Sequence, residues 1–438
     1  MPLLLTERNT RKKTNKTKKG LRKITVSRFG VTVIGGGAAG IAAAIAASID
    51  GASVLLIERN TRLGGILKQC IHDGFGYERY GEKITGPEYA FRDISTLEQT
   101  NVVVMLQTTI LDIVRNDNVF QMNLCNRHGT VIVESKSVVL ATGFREKTAA
   151  QFNIHGTRPT GVMTACTAQY YLNIMGQLPM QRCAVLGSDD IGLIVARRLA
   201  IEGAKVVGVY EPSGKPAGLL KNVSEHIFDY EIPLYLNHTV TRTFGSQRLR
   251  AIELSRVDKE KTPIRGSENI EQCDGLILSV GLIPENELAE KLNVPISGMT
   301  DGPICDQNNM TLVDGIFSCG SAMHIMHKAE YASESGEIAG RSASRYMSRE
   351  RGLIEIETSK ELLTVTPQCI DYEMLFGETV MYFRVKGERK DATLRVMVDG
   401  REVFSHFYEI LRPALTERIQ INLTGTLTSE SKVSIRLE

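Results

Sequence analysis

The order strand, glycine turn, helix, strand, acidic residue occurs twice in this chain, over residues 31–58 and again over residues 183–211. Each copy runs on into alternating residues and closes with a short apolar stretch ending in glycine, at Gly143 and at Gly281. From about Leu353 the pattern becomes short period-two stretches split by Gly, Pro and Asp. These observations predict an α/β protein. It has two Rossmann-like dinucleotide-binding domains, three-layered and with β-meander insertions, plus a small C-terminal all-β sandwich-like module.

The first unit opens with the buried strand Val31–Ile34, preceded by a basic arm over residues 1–30. Gly35-Gly-Gly-Ala-Ala-Gly40 follows, then an Ala-rich helix through Ile49 and the strand Ser53–Ile57, which ends on Glu58. Here Gly35 makes the tight turn, Gly37 lets backbone approach a diphosphate, and Gly40 lets the helix lie close on the sheet. The helix start at Ala38 and Ala39 offers unpaired N–H groups and a partial positive charge to phosphate. Glu58 can accept hydrogen bonds from a ribose diol. A Gly/Ala-rich packing helix would account for the glycines alone; the two flanking strands and the acid point to a dinucleotide. A helix near Pro87, a meander over Val102–Val133 and a buried strand within Ser137–Gly143 complete the first part of this domain, residues 31–150.

Residues 151–282 repeat the plan. Strand Cys183–Leu186 meets the turn Gly187-Ser-Asp-Asp-Ile-Gly192, then a helix over Leu193–Glu202 and the strand Lys205–Glu211. A meander runs from Leu234 to about Arg256, and Asp274–Gly281 closes the unit. Residues 283–348 hold no complete third unit. Asp314–Gly320 reads as a strand entering a glycine turn and Tyr331–Met347 as a helix, so the chain returns to finish the first domain. In residues 353–438, Val380–Val385, Thr393–Val398, Glu402–Tyr408, Arg418–Leu423 and Lys432–Leu437 read as strands. This module has no cluster of titratable residues, which suits shielding or interaction rather than catalysis.

The 438 residues, 42% hydrophobic and 23% charged, exclude disordered, collagen-like and disulfide-scaffold classes. Eight scattered Cys form no C-x-x-C pair, which argues against zinc-ribbon, iron–sulfur and vicinal dithiol sites and suits a reducing cytoplasm. No metal site is expected. The net charge of +2 hides an asymmetry: residues 1–30 hold ten Lys or Arg and one acid, so +9 stands against −7 for the rest. Such an arm is expected to be disordered. A solvated tail, or a translation start placed too far upstream, explains it more simply than contact with nucleic acid or an anionic surface. The apolar Leu3–Leu5 precedes the basic run, the reverse of a secretory signal. Val31–Ile49 is Gly and Ala where a membrane span needs bulky apolar residues, so a cytoplasmic protein with no transmembrane segment is expected.

Over residues 31–345 the sequence resembles the two-dinucleotide-binding flavoproteins, the thioredoxin-reductase-like and glutathione-reductase-like pyridine nucleotide oxidoreductases. Within it, Arg62–Gly76, Thr85–Ala90, Gly156–Pro159, Thr167–Gln169, Asp190–Ile194 and Ser279–Asn286 look like a narrower group. That group contains the NAD/FAD-dependent oxidoreductases associated with glycerol-3-phosphate dehydrogenase-like proteins, and it is similar to the alpha subunits of opine oxidases and hydrogen cyanide synthases. Its β-rich tail carries a stretch like Leu411-Arg-Pro413. The resemblance places FAD on Gly35, Gly37, Ala38, Ala39, Gly40, Glu58, Arg59, Gly64, Gly65, Ala141, Thr142, Gly143, Gly320 and Ser321. It places a nicotinamide cofactor on Gly187, Ile191, Gly192, Glu211 and Gly281. Glu211 suits a ribose diol and disfavours a 2′-phosphate, so NAD(H) is expected over NADP(H).

Two residues depart from the pattern. Ser321 stands where the superfamily has Asp and the narrower group Asn; its hydroxyl still donates and accepts. Asp189 stands where the second fingerprint expects its middle glycine, adding bulk and like charge beside a diphosphate. For other chemistry, Cys70 and His72 follow the flavin loop, where superfamily disulfide reductases can place a redox Cys. A single thiol interacting with flavin, with His72 favouring thiolate, stands against a plain buried Cys. His324 and His327 follow Gly320 and could cap the flavin or substrate side, which makes His324 the third catalytic candidate beside Cys70 and His72. The narrower group's second His would fall on Met326 and not on His327, which weakens a paired acid/base role.

The expected function is an FAD-dependent oxidoreductase subunit. It would pass electrons or hydride between NAD(H) and a partner flavoprotein dehydrogenase subunit or small redox protein, with no specific nucleic acid and with self-association open. The alternative is an FAD-binding structural or regulatory subunit whose nicotinamide site is degenerate.

Overall fold

The computed structural model describes residues 26–375 and 377–438, so the basic run up to residue 25 lies outside the described residues. The first domain is built on a seven-stranded sheet. Val103–Met105, Val54–Ile57, Val26–Ile34 and Gly129–Leu140 lie parallel in that order. Ile316–Ser318 joins the far side of Gly129–Leu140.

Two boundaries differ from the sequence reading. The first strand begins at Val26, inside the stretch assigned to the arm, because the meander supplies a partner for it. Val26–Phe29 pair with Ile132–Ser135, and Arg28 meets Glu134 at 2.7 Å. The end of the expected meander and the expected buried strand are also one strand, Gly129–Leu140. Its first half carries Val119–Asn126 and its last residues carry Ile316–Ser318.

Helix Ala38–Ile49 contains no charged residue and nine of its residues are buried, as its Ala-rich sequence allows. It packs against helix Ala329–Ser344 with almost no space between backbones. A Cβ at Gly336 or Gly340 would fall 2.1 Å from Ala39 O or Ala43 O respectively. The core divides by sheet face. Val31, Val33, Leu56 and Phe317 pack with these helices, whereas Ile34, Leu55, Phe120 and Leu140 pack under the meander strands. That is the three-layer arrangement expected.

The second domain has a parallel five-stranded sheet in the order Val162–Thr164, Gly275–Leu278, Arg182–Leu186, Lys205–Glu211, Leu234–Leu236. Leu234–Leu236, expected to open the meander, instead closes this sheet; the meander is His238–Gly245, Leu249–Arg256 and Asn269–Gln272. Helix Asp190–Ile201 follows the second glycine turn. Where the chain crosses between the domains, Phe144–Glu146 and Leu282–Pro284 pair as a short antiparallel ribbon.

The C-terminal module is a sandwich of a five-stranded and a three-stranded sheet around its own apolar core, with Leu394, Val396, Phe383 and Ile435 fully buried. Buried polar contacts fix it to the first domain: Gln307 donates to Asp371 O and accepts from Asp371 N–H, and Arg351 pairs with Asp306.

Candidate functional site

A cleft of about 3030 Å³ is lined by residues of both nucleotide domains and of the β-module. Small-molecule pockets usually measure ~300–1,000 Å³, so there is room for a dinucleotide and a second reactant.

The first glycine turn forms its floor. Gly35 takes φ +107°, where a Cβ would also lie 2.2 Å from Ala141 O. Gly35, Gly36, Gly37, Ala38 and Ala39 all line the cleft, and the helix starting at Ala38 has no side-chain cap. Its first N–H groups are therefore free to receive an anion. Glu58 is buried, accepting Gly36 N–H at 2.8 Å and Asn60 N–H at 2.7 Å, while still bordering the cleft. Gly65 faces Gly37 so closely that a Cβ on Gly65 would stand 2.9 Å from Gly37 Cα.

Ala141, Thr142 and Gly143 line the same wall, with Thr142 Oγ1 donating to Glu285 O at 2.7 Å. Gly320 and Ser321 line the cleft too, at the end of the strand that pairs with Val138–Leu140; Ser321 Oγ accepts Met326 N–H at 3.3 Å and keeps its own proton to donate. Arg59 also borders the cleft, whereas Gly40 and Gly64 shape it from behind. Diphosphate-sized space over bare backbone, uncapped N–H groups and a buried carboxylate at the strand end fit FAD.

The second turn repeats the backbone and changes the filling. Gly187 takes φ +94°, and Glu211 accepts Ser188 N–H at 3.1 Å and Ser213 N–H at 2.8 Å, as Glu58 accepts its own pair. But Gly187, Ser188, Asp189, Gly192 and Glu211 do not line the cleft, whereas Asp190 and Ile191 do. Asp189 caps the helix, accepting Gly192 N–H at 2.9 Å and the Ser279 hydroxyl. Burial pushes its carboxyl up to about 6, opposed by those two hydrogen bonds, with Asp190 and Glu146 adding like charge. Gly281 lies off the cleft, its carbonyl taken by Lys147 N–H at 3.0 Å. In this conformation the turn does not fit a diphosphate, and Glu211 and Gly281 do not face one.

Of the three catalytic candidates, Cys70 and His72 line the cleft and His324 does not. Of the two readings of Cys70, its surroundings favour the plain buried Cys: burial pushes the thiol up to about 12, and burial followed by His226 lowers His72, whose ring lies against Phe75. His324 is buried with neither ring nitrogen hydrogen-bonded, lowered to about 4 by burial and then by Arg384. His327 lines the cleft instead, its Nδ1 3.0 Å from Thr416 Oγ1.

Several lining residues went unassigned in the sequence. Cys166 comes from the second domain, and Gln169 of the same helix reaches Cys70 Sγ at 3.9 Å. Lys328 comes from the first domain and Ala414 and Leu415 from the β-module. The available signals were the stretches Thr167–Gln169 and Leu411-Arg-Pro413, each next to a lining residue.

Fold and cleft together define a two-domain dinucleotide-binding oxidoreductase. Residues 29–336 match the family described as pyridine nucleotide-disulphide oxidoreductase, and the chain belongs to that family. The family works with FAD and NAD(P)H, which makes this chain an FAD-dependent, NAD(P)-linked oxidoreductase.

The chain is 23% identical over 367 residues to an opine oxidase subunit of Agrobacterium tumefaciens, covering 77% of this chain and 70% of that one. It is 24% identical over 290 residues to hydrogen cyanide synthase subunit HcnB of Pseudomonas aeruginosa, covering 62% and 60%. Against thioredoxin reductase of Mycoplasma genitalium it is 27% identical over 307 residues, covering 67% and 86%. The chain thus spans less than two thirds of the hydrogen cyanide synthase subunit. Among solved structures, T. acidophilum thioredoxin reductase superposes with a TM-score of 0.58 at 21% identity, covering 72% of this chain and 98% of that one, which shows the shared fold. Among the described residues no helix is long and apolar enough to cross a membrane.

Proposed function

We propose that this chain is the FAD-bearing subunit of a larger oxidoreductase, exchanging electrons with NAD(H) on one side and with a partner flavoprotein dehydrogenase subunit or small redox protein on the other. The observation that carries the reading is the open first turn, with Glu58 at its edge, in a cleft that continues to residues of the second domain. Bound FAD would supply the two-electron redox step.

The chain's own residues do the binding. The uncapped helix start holds phosphate, Glu58 holds a ribose diol, and Ser321 offers one hydroxyl to the flavin side. Ala414 and Leu415 add apolar surface to the cleft. The relatives named as opine oxidase and hydrogen cyanide synthase subunits support a partner chain. With the second turn open, Glu211 at its strand end would suit a ribose diol and disfavour a 2′-phosphate, which supports NAD(H) over NADP(H).

The test is anaerobic titration of the isolated protein with NADH, followed at the flavin band. Bleaching at stoichiometric NADH is the expected result; material that carries no flavin ends the proposal. The filled second turn favours one other reading, a subunit that holds FAD but takes electrons only through its partner. A flavin inert to NADH yet reduced through a partner chain would establish it.

A further inference from the structure

We propose that the second nucleotide site is latched shut by the chain's own turn and by the segment Ser213–Asn222, and that this latch has to open before NAD(H) can bind. The inference rests on the NAD(H)-linked reading above and deepens it.

The two units provide an internal comparison. In both, the segment after the second strand crosses the glycine turn with the same backbone hydrogen bond: Gly64 N–H to Gly36 O at 2.7 Å, and Gly218 N–H to Ser188 O at 2.8 Å. The crossing itself therefore closes nothing. What differs is the three residues beneath it. The first unit has Gly36, Gly37 and Ala38; the second has Ser188, Asp189 and Asp190.

All three side chains of the second unit fold back onto protein. Ser188 Oγ donates to Glu211 at 2.7 Å and accepts Ala217 N–H at 2.9 Å. Asp189 takes Gly192 N–H and the Ser279 hydroxyl. Asp190 takes Leu219 N–H at 2.9 Å and Asn222 Nδ2 at 2.7 Å. Gly218 is pressed so far onto the turn that a Cβ there would lie 2.7 Å from Asp190 Oδ1. The helix start that would receive a diphosphate thus has two carboxylates against it, each already hydrogen-bonded, and like charge disfavours the ligand until they move.

The latch is built to be released. No residue from Pro212 to Asn222 is fully buried, so polar contacts and not an apolar core hold the segment down. Segments with few buried apolar contacts occupy the low end of local stability.

The experiment is anaerobic stopped-flow reduction of the flavin-loaded full chain by NADH, with hydrogen exchange over residues 213–222 in parallel. In the wild type we expect the bleaching rate to level off with rising NADH at a limiting opening rate, with exchange at Ala217, Gly218 and Leu219 speeding up when NADH is added. Asp189→Gly, which removes one carboxylate, should raise the limiting rate at least ~10-fold. Asn222→Ala, which breaks one tie and spares the helix cap, should raise it several-fold. Wild type and both variants bleaching at equal rates, linear in NADH, overturns the latch and leaves the NAD(H) reading intact. Exchange at 213–222 unchanged while bleaching proceeds overturns it in the same way. If neither wild type nor variants are reduced by NADH although dithionite bleaches all three, the latch and the NAD(H) reading fail together.

Discussion

Arg418 of the β-module grips Glu334 of helix Ala329–Ser344 with two nitrogens, Nη2 to Oε1 at 2.6 Å and Nε to Oε2 at 2.8 Å. Tyr382 adds its hydroxyl to the same carboxylate at 2.6 Å. The helix that packs on the first glycine helix is therefore also the module's anchor, and the module's Ala414 and Leu415 reach the cleft from there. A planar two-pronged contact of this kind is stronger than an ordinary surface pair. Arg418→Ala is expected to cost about 1–3 kcal/mol, read as a lower melting temperature together with faster flavin release. Arg418→Lys should recover little of it, because an ammonium cannot reproduce the fork. Unchanged melting and flavin retention in both variants would show that the module docks by its other contacts.

How much of this was legible beforehand follows from where each signal resides. The glycine turns and the strand ends at Glu58 and Glu211 are local patterns, and they appear within a residue or two of the expected positions. The five expected module strands are present, two of them, Arg389–Val398 and Arg401–Leu411, running three or four residues further, while Leu353–Thr358, Leu362–Thr366 and Cys369–Asp371 have no counterpart in the sequence reading. What sequence did not show depends on pairing across distance. Val26–Phe29 read as arm because their partner, Ile132–Ser135, is about a hundred residues away. Cys166 and Leu415 reach the cleft only because separate domains fold onto it. His324 follows Gly320 in sequence but is buried, with Tyr382 and Arg384 of the module beside it. Asp189 was recognisable as a misfit, but its partner Ser279 comes from the last strand of the unit, 90 residues on.

The contact between helices Ala38–Ile49 and Ala329–Ser344 makes the first domain intolerant of one methyl group. A Cβ at Gly340 would sit 2.1 Å from Ala43 O, and a backbone carbonyl cannot swing aside as a side chain can. Overpacking typically costs ~1–3 kcal/mol, more than the gain in helix propensity from Gly to Ala of about 1 kcal/mol. Gly340→Ala should therefore lower the melting temperature and weaken flavin retention, measured on the same sample. Gly51→Ala provides the contrast: no atom lies within 4 Å of its Cβ, but its φ of +88° strains any side chain, so its smaller cost should leave flavin retention alone.

Asp189 should give the stability a pH signature. Burial raises its carboxyl from 3.8 to about 6 in the folded protein, against hydrogen bonds from Ser279 and Gly192 that act the other way. Between about pH 4 and pH 6 the folded chain keeps a proton that the unfolded chain releases. The residue's contribution to stability therefore falls as pH rises through that window, and its penalty is complete above it. Asp189→Asn retains an oxygen for both donors and removes the ionisation. We expect wild type and variant to melt together near pH 4 and the variant to melt higher at pH 7. Parallel melting curves at all pH values would mean that this carboxyl titrates at its ordinary value.

Cys70 is the residue for which sequence position and environment disagree most. It follows the flavin loop and lines the cleft, as a redox thiol would. Its reactivity, however, depends on the thiolate, and burial pushes its ionisation up to about 12 with no cation compensating. Cys166, across the cleft, is pushed up as well, by burial and then by Glu146 and by Cys70 itself. Neither cysteine therefore forms an attacking thiolate at neutral pH. His72 does not help, since burial and His226 lower its own ionisation. Alkylation of Cys70 by iodoacetamide should be far slower at pH 7.5 than that of free cysteine, and should accelerate only well above pH 9. Cys70→Ala should hold NADH-dependent flavin bleaching within about twofold of wild type, because truncating a thiol that carries no charge removes packing and no chemistry. Loss of bleaching in Cys70→Ala with flavin still bound, restored by Cys70→Ser, would assign the side chain a polar role at the flavin. Loss without that restoration would point to thiol chemistry and overturn the burial argument.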